Sequence, residues 1–295
     1  TGVSNIVKVL ANGNVGIGTS TPSQKLSVVG NISNIISAST SVYVVASTSV
    51  GNQPEGIFVS GKYAYVTNYN SSTISVVDVS NPSTPVQIAT TSVGINPRGI
   101  YVSGRFAYVT NWSAATMSVV DVSNPTYPRQ ISTVSVGASP RKVYVSGRYA
   151  YVTNFNSDSI SVVDISNPLI PTQVATTSVE NGAQAIFVSG RYAYVTNFLD
   201  NTISVVDVSN PLLPIQIATT SVGSRPLDIY VSGRYAYTTG DTSDSISVVD
   251  VSNPLAPVQV ATTSMGVSSG PTSIYVSGRY AYVANNSNST VAIVD

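Results

Sequence analysis

At one register position of a repeated phrase the chain reads Glu55, Arg98, Arg141, Gln184, Leu227 and Thr272. Lys142, Arg225 and Asp228 stand beside that position. A second position, in the next loop along, reads Tyr69, Trp112, Phe155 and Phe198 in four successive copies. Guanidinium and amide donors beside aromatic rings suit carbohydrate recognition, because flat apolar sugar faces stack while hydroxyls and acidic groups hydrogen-bond. Leu227 and Thr272 aside, these side chains are the expected ligand-binding set. Catalysis has thinner support. Glycoside hydrolysis needs two acids at a defined separation, and Glu55 and Asp228 are the only central acids. With asparagine carbonyls the same two could hold a calcium ion, as a lactonase-like hydrolase would require. No catalytic residue and no metal or other cofactor is expected, with that calcium site as the alternative.

Composition narrows the chemistry further. The 295 residues include no histidine and no cysteine, and 13 basic residues balance 13 acidic ones. Lacking cysteine, the chain has no disulfide, thiolate nucleophile or cysteine metal site. Lacking histidine, it has no Ser-His-Asp triad and lacks the commonest general base and metal ligand. A net charge of zero offers no electrostatic footprint for nucleic acid or an anionic membrane. The 42% hydrophobic content is too high for disorder, and no apolar run approaches a membrane span.

The elements that must position these side chains come from a repeat. A Val-Ser-Gly-Arg-Tyr-Ala-Tyr phrase places its glycine at Gly61, Gly104, Gly147, Gly190, Gly233 and Gly278, at intervals of 43, 43, 43, 43 and 45 residues. A Ser-Val-Val-Asp phrase keeps the same beat, with Asp78, Asp121, Asp164, Asp207, Asp250 and Asp295. One period reads as four strands, in the second copy Gly99–Val102, Phe106–Thr110, Met117–Val122 and Arg129–Val136, with turn residues between them. Four antiparallel strands in about 43 residues, repeated, make propeller blades. In Tyr63-Ala64-Tyr65-Val66-Thr67 alternation gives one large and one small face, so neighbouring blades can pack large on small. The expected fold is an all-β six-bladed propeller of four-stranded antiparallel blades. Its sixth blade would be completed, and the ring closed, by an N-terminal strand over residues 42–50.

Residues 41–295 resemble the YVTN/LVIVD-repeat β-propeller family through Tyr65-Val66-Thr67-Asn68 and Ser75-Val76-Val77-Asp78-Val79-Ser80-Asn81-Pro82, repeated downstream. The resemblance implies the fold and, because such repeats occur in microbial surface proteins, a surface setting; related propellers also include enzymes. Residues 1–40 lack the repeat. Their Gly16-Ile17-Gly18-Thr19, Pro22 and Lys25-Leu26-Ser27-Val28-Val29-Gly30 resemble a motif of phage tail fibres and bacterial surface fibres, implying intertwined β-structure and a homotrimer. Residues 33–41 read as a linker. Thr1-Gly2-Val3 begins no signal peptide, which suggests a piece of a longer surface protein.

The copies differ on one end of the ring only. The Ser-Gly-Arg-Tyr turns and the Ser-Asn-Pro links stay nearly constant, while the two loop sets that alternate with them vary. Like fold demands predict like loops, so variation confined to one end suggests a binding face on a fixed scaffold. Lys62, Arg105, Arg148, Arg191, Arg234 and Arg279, with the six repeat aspartates, belong to the constant end as intra-blade ion pairs or caps. The expected function is non-enzymatic. A surface or fibre head, extracellular or on a virion, would bind a glycan or surface protein and self-associate through residues 1–40. A structural spacer or surface-layer lattice module and a calcium-dependent hydrolase are the alternatives.

Overall fold

The computed structural model describes residues 7–9, 15–17, 26–28 and 44–295. The chain divides into two compact units, residues 1–43 and 44–295. In the first, β1 (Val7–Val9), β2 (Val15–Ile17) and β3 (Leu26–Val28) form one sheet, with β1 antiparallel and β3 parallel to β2. The expected linker at 33–41 and the expected trimer contacts lie outside the described residues.

The second unit is an all-β six-bladed propeller. Blade one holds β4 (Pro54–Ser60), β5 (Tyr63–Asn68), β6 (Thr73–Asp78) and β7 (Val86–Ser92). Blade two holds β8 (Pro97–Ser103), β9 (Phe106–Asn111), β10 (Thr116–Asp121) and β11 (Arg129–Ser135), within two residues of the expected bounds. Each blade is an antiparallel meander in chain order. The turn between its first two strands needs a left-handed residue. Gly104 supplies it at φ 56°, and no atom within 4 Å would obstruct a side chain, so backbone conformation rather than space demands glycine.

Alternation decides how blades stack. Tyr65, Ile74 and Val76 of blade one pack on Ile100, Val102, Ala107, Val109, Val120 and Val122 of blade two. The same arrangement recurs between each later pair of consecutive blades. Val119 and Val152 are wholly buried in the second of these interfaces, and burying such a side chain contributes roughly 1.5–3 kcal/mol. Along the inner strands Phe58, Tyr101, Tyr144, Phe187, Tyr230 and Tyr275 follow one another from blade to blade at tilts of 47–71°, with centroids 4.7–5.1 Å apart.

Among the described residues the expected closing strand does not form. Blade six has three strands, Pro271–Ser277, Tyr280–Asn285 and Thr290–Val294, and the described residues 44–50 pair with none of them. Residues 42 and 43 lie outside the described residues. Instead Ala46, Ser47, Thr48 and Val50 lie along blade one with Ile57, Ala64, Val66, Val77 and Val79, in a groove of about 560 Å³. That is the position which Ile88, Ala89 and Val93 take against blade two. The segment therefore lies beside blade one without covering all of its apolar face, and among the described residues nothing pairs with the edge strand of blade six. At this join Ile57 is 66% exposed, whereas its counterpart Ile100 is 8% exposed.

Candidate functional site

The variable end is built on a repeated backbone device. The residue before each inner strand has a positive φ, as at Asn96 (56°), Ser139 (56°), Gly182 (77°) and Arg225 (56°). Non-glycine residues adopt that conformation at a cost, which a surrounding structure must offset. Here the carbonyls of these residues accept hydrogen bonds from the loop that carries the aromatic. Trp112 N–H donates to Asn96 O at 2.9 Å, Phe155 N–H to Ser139 O at 3.0 Å and Phe198 N–H to Gly182 O at 2.9 Å. Tyr69 N–H does the same to Gln53 O at 2.8 Å. In blades five and six Asp241 and Asn286 take the aromatic's place.

Buried threonines then carry position from blade to blade. Thr67 Oγ1 accepts the Gly56 N–H at 2.7 Å and donates to Arg98 O at 2.8 Å. Thr110 accepts from Gly99 at 2.8 Å and donates to Arg141 O at 2.9 Å. Thr153 accepts from Lys142 at 3.0 Å and donates to Gln184 O at 3.1 Å. The approach is close: a Cβ on Gly99 would lie 2.5 Å from Arg141 O. Three successive inner strands thus present Arg98, Arg141 and Gln184 at one height. Sequence reasoning passed over these threonines, although alternation places Thr67 on the same face as Tyr63 and Tyr65.

The side chains interleave. The Arg98 guanidinium lies 4.7 Å from the Tyr69 ring centre and 4.6 Å from that of Trp112. Arg141 lies 4.9 Å from Trp112 and 5.2 Å from Phe155, and Arg225 lies 4.6 Å from Phe198. Trp112, Phe155 and Phe198 follow one another at 5.8 Å. The four aromatics are therefore half-buried, and guanidinium groups cover their faces. This corrects the expectation of exposed stacking platforms. Cations attract ring faces, so the arginines occupy the ring surfaces on which a flat ligand would stack.

Electrostatics separates the two central arginines. Arg98 Nη1 donates to Glu55 Oε2 at 2.9 Å. Arg141 has no carboxylate within ion-pair reach among the described residues. Burial first, and the Arg98 charge second, hold its pKa well below the usual arginine range, at about 10. Arg98 Nε, Arg141 Nε and Gln184 Oε1 are buried without hydrogen-bond partners, and Gln184 as a whole is 5% exposed. Lys142 is exposed. Arg225 approaches Asp241 at 3.8 Å. Asp228 is committed to blade six, where Ser273 Oγ donates to its Oδ2 at 2.7 Å and Ile274 N–H at 3.1 Å. Among the described residues no three potential metal ligands cluster.

The repeat charges sit at the opposite end. Arg105–Asp121, Arg148–Asp164 and Arg191–Asp207 meet at 2.5–2.7 Å, and Arg234–Asp250 and Arg279–Asp295 also pair. Lys62 departs from this pattern: it lies over Tyr63 at 5.3 Å, while Asp78 Oδ1 accepts the Ser80 N–H at 2.9 Å. Asp121, Asp164 and Asp207 have pKa values held down at about 2. Hydrogen bonds from Ser123 and Ser166 lead for the first two, and the Arg191 hydrogen bond leads for Asp207.

A family model described as the LVIVD repeat matches residues 53–91, 96–136, 138–177, 182–219, 226–263 and 271–295. Among curated proteins nothing matches. The fold is similar to that of a candidate 6-phosphogluconolactonase from Bacteroides fragilis NCTC 9343, at 15% identity and TM-score 0.73, covering 84% of this chain and 81% of that one. It is similar to the periplasmic gluconolactonase PpgL of Pseudomonas aeruginosa, at 19% identity and TM-score 0.69, covering 81% and 80%. A protein of unknown function from Desulfotomaculum acetoxidans DSM 771 aligns at 12% identity and TM-score 0.70, covering 83% of each chain.

Proposed function

The chain belongs to the LVIVD-repeat family, and on that premise we propose that its propeller is a non-enzymatic binding head whose variable end recognises a glycan or surface protein. The observation that carries this reading is the layer of Arg98 and Arg141 held between Tyr69, Trp112 and Phe155, in which Arg98 is paired with Glu55 and Arg141 has no carboxylate partner among the described residues. Rigid display is the mechanism: the threonine links fix the donors in advance, so little ordering is needed on binding. The acids of the mouth favour binding over catalysis, since Glu55 is paired with Arg98 and Asp228 with Ser273 and Ile274. The head works outside the cell, on a surface or fibre. Residues 1–40 gather copies into a trimer, and several weak heads together can raise apparent affinity by roughly 10²–10⁴. The strands β1 to β3, three residues each, make a sheet too small to bury an apolar face alone, which supports a need for partners. A glycan array probed with the full chain, and with Trp112→Ala and Arg98→Ala, tests the head. Mass in solution tests the trimer, and a monomer of the full chain would exclude it.

A second reading, hydrolysis of a sugar lactone, draws on the two gluconolactonase-named relatives and on Glu55 at the mouth. Lactone turnover by the full chain, lost in Glu55→Gln and dependent on added calcium, would favour it over the binding head.

A further inference from the structure

The mouth carries two polar atoms that do not serve each other. Arg141 Nε is a buried donor without an acceptor, and Gln184 Oε1 is a buried acceptor without a donor. They belong to the same register position of adjacent inner strands, Pro140–Ser146 and Ala183–Ser189. Thr110 and Thr153 pin the two backbones there, so neither side chain has been left unpaired by a wandering loop. Burying a donor or acceptor without a partner is costly, and burying a charge without a counter-charge more so.

Charge narrows what could satisfy them. Glu55 neutralises Arg98, which leaves Arg141 as the central cation without a carboxylate among the described residues. Lys142 follows it on the same strand, exposed and in no ion pair among the described residues. A neutral sugar would leave the Arg141 charge uncompensated. A simple inorganic anion would leave Gln184 Oε1 without a donor. A ligand that joins an anionic oxygen to a neighbouring hydroxyl serves both. The fork of a guanidinium matches a planar carboxylate.

Resting on the reading that this mouth binds ligand, we infer that it takes a hydroxylated carboxylate, an acidic sugar of the uronate or aldonate class. Its carboxylate sits on Arg141 and an adjacent hydroxyl donates to Gln184 Oε1. Arg98, tied to Glu55, shapes one wall, and Lys142 adds attraction at the entrance.

Isothermal titration of the full chain with glucuronate, gluconate, glucose and sulfate tests this. Saturable binding is expected for a sugar acid, with glucose silent and sulfate weaker. Arg141→Gln should weaken sugar-acid binding by about tenfold or more, and Arg141→Lys, which keeps the charge but loses the fork, by less. Gln184→Leu should weaken the sugar acid several-fold and leave sulfate unchanged. Arg191→Gln, at the opposite end, should change neither, and thermal midpoints of all variants report folding. Wild-type affinity for a sugar acid in Arg141→Gln overturns the inference, and sulfate binding as tight as the sugar acid overturns the role of Gln184. Neutral glycans bound on the array with no sugar acid bound would also overturn it, while leaving the binding head standing. Silence from both classes removes this inference together with the glycan form of the binding head, leaving only recognition of a surface protein.

Discussion

Thr110 Oγ1 donates to the carbonyl oxygen of Arg141, one blade further on, at 2.9 Å while accepting the Gly99 N–H at 2.8 Å. One buried hydroxyl thus ties the inner strand of its own blade to the residue that carries the central cation. In Thr110→Val the Gly99 N–H loses its partner, which costs about 1–3 kcal/mol. Urea unfolding should show that loss, and ligand affinity should fall with it, because the Arg141 backbone is no longer pinned. Thr196→Val should cost less, since Thr196 accepts the Ala185 N–H at 2.9 Å but makes no hydrogen bond to blade five.

Arg141 charges the folded state at neutral pH for a cation that burial and Arg98 both disfavour. Its folded pKa lies below the unfolded value, so the penalty is present at pH 7 and fades only as pH climbs past about 10. Arg141→Gln should therefore raise the thermal midpoint of the ligand-free protein even as it weakens the proposed sugar-acid binding. Calorimetry that shows a lower midpoint in this variant would mean the guanidinium is already compensated.

The constant end responds to acid. Asp121, Asp164 and Asp207 are held near pKa 2 against an ordinary 3.8. Depressed carboxylate pKa values stabilise above the unfolded value and lose that contribution as pH falls through the folded one. The thermal midpoint should stay level from pH 7 to about pH 5 and drop between about pH 4 and pH 2. Asp121→Asn, Asp164→Asn and Asp207→Asn combined should flatten that drop. Their arginine partners are 59–62% exposed, so added salt at pH 7 should change the midpoint little.

Blade joins differ in what they bury. Ile100 is 8% exposed in the interface of blades one and two, and Ile57, at the same position of blade one, is 66% exposed. Ile100→Ala should cost about 2–5 kcal/mol. Ile57→Ala should stay within about 0.5 kcal/mol. Equal losses in denaturant unfolding would show that blade six covers Ile57 in solution.

Much of the scaffold could be read directly. The 43-residue beat, the Ser-Gly turns and the large and small faces of Tyr63–Thr67 located the blades and their packing, because alternation and turn chemistry are local properties. The position shared by Glu55, Arg98, Arg141 and Gln184 was legible for the same reason: equal phase in a repeat means equal height in the ring. The fate of residues 44–50 was not. Their likeness to the fourth strand of a period led to the expectation of a strand completing blade six, whereas they lie along blade one. It did not specify whether the edge of Thr290–Val294 would reach them, which depends on the curvature accumulated over the other blades.

The aromatics show the same division. Composition and spacing dictated that Tyr69, Trp112, Phe155 and Phe198 would share one end with the arginines. Only the packed ring decided that guanidinium groups would cover those rings, leaving Arg98 neutralised by Glu55 and Arg141 not. Register along a strand is written in the chain. Distances of a few ångströms between side chains of different blades, and hence which charge finds a partner, come from how the blades meet.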